Sequence, residues 1–192
     1  GSDVEVVLIG DETGIAENAL KLGVKHLPLV EKNAQGTPLV SSIFQLARTH
    51  NESPMLAYIN ADIIVLPDFL ASAKEVHQMK HQFLLVGQRW DLDICDEIDF
   101  STDWEEKTRI LLQEKGRLHP PSGSDYFIFP RNCFTHIPDF AIGRAGWDNW
   151  MIFKGCWEGW KVIDASQAIT IIHQDHDYGH LPNGQPHYRL PE

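Results

Sequence analysis

The sequence predicts an α/β fold: a mixed, mainly parallel sheet with helices on both faces, built as one domain over residues 1–192. Three observations lead to the α/β class. Short runs of β-branched and aromatic residues alternate with stretches whose apolar residues recur at helical spacing, the pattern of strand–helix–strand crossovers. At 192 residues and 43% hydrophobic content, the chain can bury one ordinary core without disulfide or metal staples. No internal repeat, low-complexity tract or linker divides it.

The first run, VEVVLIG (4–10), reads as a buried strand that Gly10-Asp11 turns into a loop. GIAENALKLG (14–23) has helical spacing and closes on Gly23, a residue suited to a helix C-terminus. After KHLPLV (25–30), the polar EKNAQGTP (31–38) reads as loop and LVSSIFQLARTH (39–50) as helix. MLAYIN (55–60) is a second strong strand, and PDFLASAKEVHQM (67–79) a helix with Pro67 near its first turn, where proline is tolerated. FLLVGQRW (83–90) reads as one strand, and the acidic DLDICDEIDFSTDWEE (91–106) as a loop entering a helix near 104–114. YFIFP (126–130) is a strand, WDNWMIFKGCWEG (147–159) a helix, and KVIDAS (161–166) and AITIIHQ (168–174) two late strands where antiparallel pairing can enter.

Asp and Glu outnumber Lys and Arg by 27 to 16, for a net charge of -11. That field opposes binding to nucleic-acid phosphates, so no nucleic acid is expected as partner. An anionic small ligand would need a divalent cation or a local set of Arg and Lys to offset the same field. Cys95, Cys133 and Cys156 are odd in number and lack CxxC spacing, which reads as free thiols in a reducing compartment. No apolar run reaches the roughly 20 residues of a membrane span, and no charged-then-apolar leader opens the chain. The expectation is a cytoplasmic protein without a membrane span.

In an open α/β sheet, ligands sit outside the carboxyl ends of the strands. The residues just after the expected strands are polar: Gly10-Asp11-Glu12, Asn60-Ala61-Asp62, Arg89-Trp90-Asp91 and His173-Gln174-Asp175-His176. Asp62 can cap the following helix, or its carboxylate can hold Mg2+ or Mn2+, hard cations that favour oxygen ligands. Asn60 could add an amide oxygen, a weaker ligand. IIHQDHDYGH (171–180) crowds His173, His176, His180, Asp175 and Asp177 together, either a first-row metal set or a polar surface loop.

Asp148, at a helix start between Trp147 and Trp150, can be a helix cap or a general base in a partly desolvated setting. The tryptophans are core residues or platforms for a sugar ring. Asp125 stands in a Gly-Ser loop where a ligand can approach the backbone, or in an ordinary connection. Arg89 and Arg144 offer planar forks suited to a diphosphate, or are solvated surface residues.

In this order, the pieces resemble the GT-A glycosyltransferases, particularly the family-2-like enzymes that use nucleotide-diphosphate sugars. VEVVLIGDETG looks like the family's second strand, which implies that Asp11 contacts the nucleotide base; EKNAQGTPLVSSIFQLA resembles the loop and helix that follow. MLAYINADIIVLPDFL resembles the strand, DxD metal motif and Pro-Asp-x-Leu helix start, with Asn60 in place of the first Asp and Asp62 as the implied ligand. GWDNWMIFKGCWEGWKVIDAS is similar to the acid-bearing segment that supplies the catalytic base, here Asp148. IIHQDH would supply the late metal-binding histidine, His173 or else His176. The family's first strand and helix have no counterpart before VEVVLIG, so the domain is expected to be N-terminally truncated or shortened.

The implied activity moves a sugar from a nucleotide-diphosphate sugar donor to a carbohydrate or other hydroxyl acceptor, with Mn2+ or Mg2+ as cofactor. Asp148 would be the base of an inverting attack, and Asp125 or Asp91 would orient a sugar. Two rivals stand beside it: a metal-dependent hydrolase built on the His173–His180 cluster, and a non-catalytic sugar- or nucleotide-binding domain.

Overall fold

The structure, a computed structural model, describes residues 4–174. Ten short strands and five helices form among the described residues, and these gather into two compact units. The first unit takes residues 4–54 and Phe134–Trp147, the second Met55–Cys133 and 148–174.

In the first unit, β1 (Val7–Ile9) and β2 (Lys25–Leu27) pair in parallel across the helix α1 (Ile15–Leu22). Gly23 closes α1 at φ 65°, the left-handed region where a side chain would be strained, and its N–H donates to the carbonyls of Ala19 and Leu20. Helix α2 (Val40–His50) buries Val40, Phe44 and the guanidinium-bearing Arg48, whose Nη2 donates to the Phe134 carbonyl at 2.9 Å. Backbone bonds from Val40 N to Phe140 O and from Ile142 N to Pro38 O, both 2.9 Å, tie the segment Phe134–Trp147 to the start of α2.

The second unit holds two four-stranded sheets. One runs in the order β3 (Met55–Ile59), β8 (Tyr126–Pro130), β5 (Phe83–Val86), β9 (Lys161–Asp164). The other runs β4 (Ile63–Val65), β10 (Ile171–Gln174), β6 (Trp90–Leu92), β7 (Arg117–Leu118). Helices α3 (Asp68–Met79) and α4 (Trp104–Lys115) belong to this unit, and α5 (Trp147–Trp157) begins at the last residue of the first.

The α/β class holds, but the mainly parallel sheet does not form. Only β1–β2, β5–β9 and β6–β10 are parallel; β3–β8, β5–β8, β4–β10 and β6–β7 are antiparallel. The physical reason is that a run such as YFIFP, buried at every position, is compatible with a central strand of either direction. Its direction is set by the loop that delivers it, and β8 enters between β3 and β5 running against both.

The expected strand FLLVGQRW is likewise two strands in two different sheets, broken at Gly87. There the backbone passes so close to its neighbours that an added Cβ would lie 2.6 Å from Tyr126 Oη and 2.9 Å from Ser166 N. The next residue leaves the ladder, and Gln88 N donates to Ser166 Oγ at 2.8 Å. Gly87→Ala should therefore destabilise the protein by about 1–3 kcal/mol, the usual cost of overpacking. A thermal melt checks this, and an unchanged Tm would mean that the Tyr126 ring yields at no cost.

Phe83, Leu85, Tyr126, Ile128, Ile169 and Ile171 make the main core cluster of this unit, and Leu92, Leu112 and Ile172 a second one. Adjacent side chains of a strand point to opposite faces, so β10 feeds Ile171 to one cluster and Ile172 to the other. No helix among the described residues is long and apolar enough to cross a membrane. Cys95, Cys133 and Cys156 are all unbridged.

Candidate functional site

Strand register builds the site. On β10, His173 stands opposite Ile63 of β4 on one side and Asp91 of β6 on the other. Asp62 precedes Ile63 directly, so His173 comes to lie between the two carboxylates: its Nε2 is 3.3 Å from Asp62 Oδ2, and its Nδ1 is 3.6 Å from Asp91 Oδ1. His173 is 5% exposed, whereas the Asp62 side chain is 43% exposed and open to a ligand.

The β3–β8 ladder does the same for a second group. Ile59 pairs with Tyr126, and one step further Asn60 N donates to the Asp125 carbonyl at 2.9 Å, which sets the two side chains together. Asn60 Nδ2 donates to Asp125 Oδ1 at 2.8 Å, while Asn60 Oδ1 accepts from Tyr58 Oη at 2.8 Å. Asp125 is 6% exposed.

Arg89 joins the two groups. Its Nε donates to Asp91 Oδ1 at 2.9 Å and its Nη1 to both oxygens of Asp125 at 2.9 and 3.0 Å. The other Asp91 oxygen accepts from His119 Nδ1 at 2.8 Å. His119 is placed by backbone: its N–H donates to the Arg89 carbonyl, continuing the β6–β7 pairing, and its carbonyl accepts from Gln88 Nε2 at 2.7 Å.

The electrostatics follow from these contacts. Burial on its own would raise the Asp91 carboxyl, but the hydrogen bonds from His119 and Arg89 outweigh it and hold the group below the usual carboxylate range. Burial works against the Arg89 charge too, and the carboxylates of Asp125 and Asp91 more than offset it, so the guanidinium stays firmly protonated. Burial, and then the negative charges of Asp125 and Asp62, push the Tyr58 phenol up, which keeps it a donor to Asn60.

Of the residues singled out in the sequence, Asn60, Asp62, Arg89, Asp91, Asp125 and His173 come together in the second unit. Arg89 already carries two carboxylates, and both ends of the Asn60 amide are engaged. Asp62 and His173 offer one carboxylate oxygen and one imidazole nitrogen, a mixed donor pair of the kind that divalent first-row ions accept. Among the described residues, no group of three or more His, Cys, Asp or Glu side chains is arranged to hold a metal by itself.

Asp11 lies in the first unit, after β1, with Lys32 Nζ at 2.6 and 2.7 Å from its oxygens. That hydrogen bond lowers its carboxyl from the ordinary value. Trp147 is 7% exposed, also in the first unit; Asp148, in the first turn of α5 and in the second unit, accepts from Asn149 N at 2.8 Å through Oδ1. His176, with Asp175, Asp177 and His180, lies outside the described residues.

Sequence reasoning passed over His119, Tyr58 and Gln88. His119 precedes Pro120-Pro121 in a stretch that reads as an ordinary loop, and only the backbone pairing with Arg89 brings it to Asp91. Tyr58 carried a usable signal: two residues before Asn60 on one strand, it shares a face with it. Compared with known proteins, the chain matches no protein-family model and no curated protein.

Proposed function

We propose that the chain is a metal-dependent glycosyltransferase that moves a sugar from a nucleotide-diphosphate sugar to an acceptor hydroxyl. The observation that supports this best is the pair of Asp62 and His173, 3.3 Å apart where β4 and β10 meet, backed by the charge-balanced cluster of Asp91, Arg89, Asp125 and Asn60. Asp62 and His173 would hold Mn2+ or Mg2+ against the donor diphosphate, and the ion supplies charge neutralisation for the leaving group. That answers how a protein of charge -11 takes an anionic donor.

Asp148 removes the acceptor hydroxyl proton; the acceptor oxygen bonds to the anomeric carbon as the bond to the diphosphate oxygen breaks, and the nucleoside diphosphate departs. Asp125 or Asp91 orients the sugar; each is held in one position by Arg89. A non-catalytic binding domain is the second reading, favoured by one observation: Asn60, where an acid would strengthen a metal site, is taken up by Tyr58 and Asp125.

Titration calorimetry with UDP and GDP, each with Mn2+ and then with EDTA, tests the proposal. One nucleotide should bind with Mn2+ and not with EDTA. Asp62→Asn should weaken that binding about 100-fold or more, since a hard-cation site contributes several kcal/mol. Binding that ignores both the chelator and the substitution would remove the metal from the mechanism.

A further inference from the structure

The first unit holds a pocket of about 250 Å³ between the turn at Asn33–Thr37 and the segment from Asp139 to Trp147. We infer that this pocket binds one neutral, hydroxyl-rich sugar ring. The inference goes beyond the transferase reading and does not depend on it.

Size comes first. The volume lies just below the roughly 300–1,000 Å³ of most small-molecule sites, which suits a small ligand such as a single six-membered sugar ring. Charge comes second: Asp139 and Arg144 both line the pocket and offset one another, so the lining favours a neutral ligand over a phosphate.

The third argument is the lining chemistry. Asn33 Oδ1 is committed to the backbone N–H groups of Gln35 and Thr37 at 3.0 and 2.9 Å, which orients its NH2 end as the donor for a ligand. Asp139 Oδ1 accepts from Ser41 Oγ at 2.7 Å, which fixes the carboxylate. Thr37 adds a hydroxyl, and Phe140 and Trp147 add apolar wall. Fixed planar polar groups beside aromatic surface suit a ring with hydroxyls at its rim and C–H bonds on its faces.

An amide-resolved NMR titration of the 15N-labelled protein tests this, with methyl glucoside, methyl galactoside, methyl mannoside and uridine as probes. At least one pyranoside should give saturable shifts at residues 33–37 and 139–145. Asp139→Asn, which keeps an oxygen for Ser41, and Thr37→Val should each weaken that response about tenfold while the other amides stay unmoved. Shifts elsewhere only, a response to uridine alone, or no response to any pyranoside would overturn the inference. Metal-dependent UDP or GDP binding with no pyranoside response would overturn this pocket and leave the transferase reading standing.

Discussion

Arg89→Ala should destabilise the second unit by about 3–5 kcal/mol, the cost of leaving buried charge without its partner. The guanidinium bridges Asp125 and Asp91, two carboxylates whose side chains are only 9% and 15% exposed. Once it is gone, Asp125 retains the Asn60 amide and Asp91 retains His119, neither of which is a permanent cation. Arg89→Lys should recover only part of the loss, because one ammonium cannot reproduce a fork that serves Asp91 through Nε and both oxygens of Asp125 through Nη1. Chemical denaturation is the measurement. In an Asp125→Asn background the same Arg89→Ala change should cost less, by the coupling energy of the pair; equal costs in the two backgrounds would show that solvent, and not Arg89, stabilises Asp125.

Asp148→Asn should lower turnover by about 10²–10⁴-fold, the range a positioned general base supplies, with nucleotide affinity unchanged and Tm little changed. The variant is conservative for the fold. Asp148 Oδ1 accepts from Asn149 N at 2.8 Å, an acceptor that asparagine keeps, and the charge lost from the first turn of α5 costs only about 0.3–1 kcal/mol. Single-turnover rates with saturating donor give the direct comparison. If Tm falls in step with the rate, Asp148 serves α5 and the base must be sought elsewhere.

Much of the local structure is legible in the chain. The runs VEVVLIG, MLAYIN and YFIFP contain β1, β3 and β8, and the helical periodicities at 14–23, 39–50 and 67–79 contain α1, α2 and α3. Those elements are set by spacing of apolar residues over a few turns, information carried within the segment itself. β4 and β7 escaped it: strands of three and two residues are too short to display a period, and they exist because a neighbour offers a ladder.

The polar strand ends marked Asn60, Asp62, Arg89, Asp91 and His173 as candidates, since acids, an imidazole and an Arg after buried runs stand out without any geometry, and the Gly-Ser loop before YFIFP marked Asp125. What they do to one another is a property of register. The pairing of His173 with Ile63 and Asp91 sets the imidazole between two carboxylates, and a slip of one residue would turn it to the opposite face. Arg89, which reads as a diphosphate fork from sequence, is drawn instead to Asp91 and Asp125 because buried carboxylates need a partner.

By itself, then, the amino-acid order determined most of the helices and the longer strands, the α/β class, and the residue types gathered at the strand ends, all of which depend on contacts within a few residues. Strand direction, the break at Gly87 that sends β5 and β6 to different sheets, and the recruitment of His119 to Asp91 were decided only by the tertiary structure. Each depends on a group far away in sequence: the Tyr126 hydroxyl and Ser166 at Gly87, the Arg89 carbonyl at His119. No local pattern of apolar and polar residues encodes such a meeting.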